Sequence, residues 1–138
     1  MKKYLFTIAL ALPLLMTAAA SAQSVHMRAM VPFNFIADGT TLPAGQYDIQ
    51  TLGTTGKLLS IRNLNSWAGI LVLSNSSESS NPSSPTKLVF HRYGNRYFLA
   101  ELWVRGHNSG YAVPQTSRET EVALDFPRGE VVLLMARR

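Results

Sequence analysis

"KLVFHRYGNRYFLAELW", residues 87–103, decides the fold, because it holds two strand-like runs joined by a two-residue turn. Gly94-Asn95 fits a type II′ hairpin turn, with glycine at the position that needs a positive φ. That turn predicts the register of the runs Lys87 to Tyr93 and Arg96 to Val104. Tyr93 should face Arg96, Arg92 face Tyr97, His91 face Phe98, Phe90 face Leu99, Val89 face Ala100 and Leu88 face Glu101. One side of the ribbon then collects Val89, His91, Phe98, Ala100, Leu102 and Val104, the expected core face. The other collects Leu88, Phe90, Arg92, Tyr97, Leu99, Glu101 and Trp103.

Outward from the hairpin the chain keeps the period of strands. Val25, Met27, Ala29, Val31, Phe33 and Phe35 fall on alternate positions with His26, Arg28 and Asn34 between them, which predicts one long half-buried strand with Pro32 marking an edge or a bulge. Asp38-Gly39 and "LPAG" at 42–45 are turns, and Tyr47, Ile49 and Thr51 alternate again. Leu58 to Arg62 and Trp67 to Leu73 read as short strands. "NSSESSNPSSP" at 75–85 has almost nothing to bury and is expected to be an exposed loop.

Near the C-terminus, Thr116 followed by Glu119 has the form of a capping box, predicting a short helix from Ser117 to Leu124 that Pro127 and Gly129 stop. "EVVLLMA" at 130–136 is uninterrupted apolar sequence after its glutamate. It reads as a strand covered on both faces and paired on both sides. About seven strands and one short C-terminal helix before the last strand make an all-β fold, a small antiparallel sandwich or a closed barrel. A membrane barrel fits poorly, since Leu58 to Arg62 is too short to span.

The first 22 residues divide into a basic head (Lys2, Lys3), an apolar run from Tyr4 to Ala20, and the small-residue exit Ala20-Ser21-Ala22. These are the parts of a secretory signal peptide, so 1–22 is expected to be removed, leaving 23–138 as a single β domain with no stable transmembrane segment. The chain has 13 basic and 8 acidic side chains. Losing Lys2 and Lys3 lowers its net charge from +5 to +3. The remaining arginines are scattered, unlike the clustered basic face that nucleic acid requires, so no nucleic-acid partner is expected. With no cysteine, disulfides and thiolate metal sites are excluded, and a secreted or periplasmic domain must be held by its core alone.

"VPFNF" (31–35), "LPAGQY" (42–47), "LVFHRYGNRYFLAELW" (88–103) and "SRETE" (117–121) together resemble a family of small secreted bacterial proteins of uncharacterised function, best represented in Acidobacteria. The likeness runs through nearly all of the mature chain, and the hairpin block is its most specific part. It implies a Gram-negative exported protein and brings with it no catalytic residue, cofactor or substrate.

Chemistry-bearing residues are sparse. His91 and Glu101 fall on opposite faces in the expected register, and His26, His91 and His107 share no ligand spacing, so neither an acid/base pair nor a metal site is expected. No Gly-x-Ser-x-Gly elbow is present. The candidate binding residues are Arg92, Tyr97, Glu101 and Trp103 on one face of the hairpin, with His91 a core-facing imidazole that needs a hydrogen-bond partner. Catalytic residues, metal ligands and cofactors are none. The expected function is a non-enzymatic, exported β domain that acts by binding or by structural association in the cell envelope, with an envelope protein, a glycan or a small apolar ligand as the expected partner. A β-barrel carrier of a small ligand is the alternative.

Overall fold

The computed structural model describes residues 24–78, 81, 83–126 and 128–138; the expected signal peptide, 1–22, lies outside them. The described residues form eleven strands and one helix. The strands are β1 (His26–Val31), β2 (Phe35–Ala37), β3 (Thr40–Leu42), β4 (Gly45–Leu52), β5 (Leu58–Asn63), β6 (Gly69–Leu73), β7 (Asn75–Glu78), β8 (Lys87–Tyr93), β9 (Arg96–Trp103), β10 (Ser109–Ala112) and β11 (Glu130–Met135). The helix α1 (Ser117–Asp125) precedes the last strand. One sheet runs β1-β4-β5-β6 and the other β11-β8-β9-β10-β7, with β2 and β3 joining the second beside β9. The two sheets pack as a sandwich, so of the two expected architectures it is the sandwich and not the closed barrel that forms. Every neighbouring pair is antiparallel except β2 with β9.

The alternation read in the sequence builds the first sheet. Met27, Ala29 and Val31 of β1 point inward beside Tyr47 and Ile49 of β4 and Leu59 and Ile61 of β5, all buried. Against them the second sheet sets Phe90, Leu88, Leu99 and Leu102, and Phe35 lies between, edge-on to Tyr47 (5.1 Å) and to Phe90 (5.4 Å). Each of the buried Val, Leu, Ile, Phe and Met side chains contributes about 1.5–3 kcal/mol by leaving water. The centre is packed with these side chains.

The expected long first strand is two strands in different sheets. At Pro32, which cannot donate to a ladder, the chain leaves the first sheet, and β2 enters the second. It returns at the "LPAG" corner. There Asn34 Oδ1 accepts the Ala44 amide (2.9 Å), tying the outgoing and returning crossings together. The buried Tyr47 donates its hydroxyl proton to the Pro43 carbonyl, the kind of backbone tether that pins a sandwich corner. Asp38 and Gly39 both have positive φ (45° and 78°), as a hairpin turn between β2 and β3 demands.

Two expectations about the sheet edges are corrected. The segment 75–85 begins as a strand, because Asn75–Glu78 pair with Ser109–Ala112 at the end of the second sheet; an edge strand needs no apolar face when its backbone is paired on one side. β11 is likewise an edge and not a central strand. It pairs with β8 alone, apart from one bridge between Arg137 and Arg28. Val132 and Leu134 turn inward, while Val131, Leu133 and Met135 are 65 %, 49 % and 64 % exposed. A continuous apolar run predicts two covered faces, but here one of the faces is bare.

Candidate functional site

The hairpin keeps its expected register for four pairs, from Tyr93 opposite Arg96 to Phe90 opposite Leu99. Gly94 has φ +62°, as its turn position requires. Beyond that a β-bulge intervenes: Val89 faces Glu101 and Leu88 faces Leu102, leaving Ala100 as the extra residue. The bulge falls where β9 changes neighbour. Phe98 pairs with Ile36 of β2, Glu101 and Leu102 pair with β10, and the Ala100 carbonyl accepts the Val113 amide between them (2.8 Å).

The faces differ from expectation in two ways: the core lies on the Leu88 and Phe90 side of the ribbon, and beyond the bulge Leu102 and Val104 come to that same side. Leu88, Phe90, Leu99 and Leu102 are the sandwich core, whereas His91 and Phe98 lie on the outer side, under α1. Glu101 and Trp103 come round to that outer side, opposite Val89 and Lys87. The candidate set therefore splits. Arg92 and Tyr97 stay on the side between the sheets, Glu101 and Trp103 do not join them, and the helix covers the His91 side.

Each half of the set is engaged within the chain. Phe33 stacks on Tyr97 at 3.7 Å and 13°, and the Arg92 guanidinium lies 5.4 Å from the centre of the same ring. Arg92 also donates from Nε to the Gly94 carbonyl (2.8 Å) and approaches Glu130 at 3.5 Å. A sugar ring would have to displace Phe33 to use that face of Tyr97. On the other side the Trp103 indole N–H donates to Glu101 (2.8 Å). Its ring covers Gly110, where a Cβ would come within 2.7 Å of it.

His91, with its side chain 41 % exposed, has a hydrogen-bond partner on the helix. Thr116 caps α1, accepting the Glu119 amide at 3.3 Å. In a closed capping box the Glu119 carboxylate would turn back to the Thr116 backbone. Instead its Oε1 lies 3.3 Å from His91 Nδ1, and Glu119 is only 5 % exposed. Burial pushes the Glu119 carboxyl above its ordinary pKa, and His91 pulls it back in part. Burial also raises the Tyr93 phenol, helped by the Glu119 charge.

Between α1 and the start of β11 a groove of about 360 Å³ is lined by His91, Tyr93, Ala123, Phe126, Glu130 and Val131. An imidazole held at Nδ1 by a carboxylate is oriented as a general base would be, but among the described residues no serine, threonine or cysteine lines this groove. The pair fastens α1 to the sheet. His26 is in the other sheet, bonded to the buried Asp48 (2.6 Å) beside Arg28 (3.3 Å), and His107 follows β9 in a loop. The three histidines are not brought together, and among the described residues no group of three or more His, Asp or Glu could hold a metal ion.

What the sequence reading missed is the bare apolar surface. The outward row Val131, Leu133 and Met135 has Phe126 (45 % exposed) beside Val131 at one end, and Leu124 of α1 is 79 % exposed. Trp67 stands fully exposed in the β5–β6 turn, whose backbone is held by Asn63 accepting from Asn65 (2.7 Å) and Ser66 (3.0 Å). Among the described residues no helix is long and apolar enough to cross a membrane. No protein-family model, curated protein or solved structure matches this chain.

Proposed function

We propose that this chain is an exported β-sandwich domain of the bacterial envelope that acts by association, and that its contact surface is the outer row and free edge of β11. The carrying observation is the row Val131, Leu133 and Met135 on a strand that ends its sheet. Edge strands are ordinarily protected by lysine, proline, a bulge or a covering element. From Val131 to Met135 this one has no charge, no proline and no bulge, and such a surface marks a partner's place. Export is supported by the three-part N-terminus and by the likeness to secreted acidobacterial proteins.

Full-length protein expressed in a Gram-negative host, carrying a photo-crosslinking residue at position 133 or, as control, at the exposed Thr54, tests both halves. Periplasmic material with a mass beginning at Gln23, and adducts formed from position 133 only, are the expected results. Retention of residues 1–22 in the membrane fraction would overturn export. Equal labelling from both positions, or none from 133, would overturn the contact surface.

A further inference from the structure

We infer that the partner of this edge is a second copy of the same chain, paired antiparallel to β11 about a two-fold axis at Leu133; the inference rests on the reading of β11 as the contact surface. The backbone sets the geometry. The Ala136 amide donates to Thr86, on the β8 side (2.9 Å), and Arg137 exchanges both its bonds with Arg28 of β1 on the other side (2.8 and 2.9 Å). Because successive residues of a strand present their amides and carbonyls to opposite sides, those of Val131, Leu133 and Met135 point away from β8, where the sheet has no further strand.

The open stretch is therefore bounded. Gly129 precedes the strand at one end, and at the other Arg137 is already held by β1. Its centre is Leu133. A two-fold there pairs Leu133 with its own copy and Val131 with the other Met135, and every unpartnered amide and carbonyl of the three residues is satisfied at once. A shift of one residue would set the outward row against inward-facing positions. A shift of two would leave an end residue unpaired or require Arg137, which β1 holds.

Side chains and charge agree with this register. Directly opposed residues share a face, so the outward apolar row of one copy continues into that of the other. The strand is acidic at its start, Glu130, and basic at its end, Arg137 and Arg138. Antiparallel copies set each Glu130 beside the other's basic end, whereas parallel copies would set Glu130 against Glu130. The same pairing lays one Met135 against the other copy's Val131, at the rim of the groove that holds His91.

The absence of cysteine makes the test direct. In mature protein, residues 23–138, Leu133→Cys places two thiols across the axis, with Cα atoms about 5.5 Å apart in a bonded pair, within disulfide reach. Mild oxidation should give a covalent dimer of Leu133→Cys and not of Leu71→Cys, an exposed control on the other sheet. Sedimentation equilibrium should show wild type as a dimer and Leu133→Lys as a monomer with unchanged circular dichroism. A monomeric wild type with no Leu133→Cys crosslink overturns the second copy as occupant. If Leu133→Lys then still abolishes the cellular adducts at a crosslinker placed on Val131, the contact surface stands with another partner; if it leaves them unchanged, both readings fall.

Discussion

His91 Nδ1 and Glu119 Oε1 meet at 3.3 Å across the boundary between β8 and α1, and the carboxylate that would have closed the helix cap is committed to the sheet. Burial raises the Glu119 carboxyl above its ordinary pKa, His91 offsets this in part, and Tyr93 is the neighbouring titratable ring. A carboxyl with a raised folded-state pKa binds its proton more readily folded than unfolded. Its contribution is therefore fully present below the unfolded pKa and is lost as pH rises through the raised value. The melting temperature of wild type relative to Glu119→Gln should fall as pH rises from below 4.5 to neutrality. A difference that is flat or rises over that window would show that burial does not govern this carboxyl.

Tyr47 is fully buried, and its hydroxyl returns to the Pro43 carbonyl at the corner where the chain re-enters the first sheet. Tyr47→Phe keeps the ring against Phe35 and leaves that carbonyl without its donor. Urea unfolding should show a loss of about 0.5–1.5 kcal/mol, with an unchanged slope. No measurable loss would mean that the corner is held by its apolar contacts alone.

Gly94 combines φ +62° with a Cβ position only 3.0 Å from the Phe126 ring. Gly94→Val adds a β-branched side chain where the backbone resists one and pushes against the end of α1. A destabilisation of about 1 kcal/mol or more is expected by thermal unfolding, and full retention of stability would contradict the turn geometry.

The parts of this fold legible in the sequence are those set by neighbours along the chain. Gly94-Asn95 specifies a hairpin turn and Thr116 a helix cap because a few adjacent residues decide them. The bulge at Ala100 is decided by the switch of β9 from β2 to β10, strands far apart in sequence. Its one local trace is the unbroken apolar triplet Phe98-Leu99-Ala100, which interrupts the alternation. In an unbroken ribbon Glu101 and Trp103 would share a side with Arg92 and Tyr97; the bulge puts them on the opposite side and so divides the candidate site. The run Val131 to Ala136 is ambiguous for a similar reason. A strand covered on both faces and an edge strand with an apolar outer row have the same composition, and only sheet order separates them.

Amide hydrogen exchange along β11, followed by nuclear magnetic resonance as the mature protein is diluted, tests the proposed contact surface most directly. The amides of Val132, Leu134 and Ala136 face β8 and should be protected at every concentration. Those of Val131, Leu133 and Met135 should be protected in concentrated protein and become exposed together on dilution, as the second copy leaves. Rapid exchange of these three amides at all concentrations, beside protected even-numbered neighbours, would show a free edge with no second copy on it.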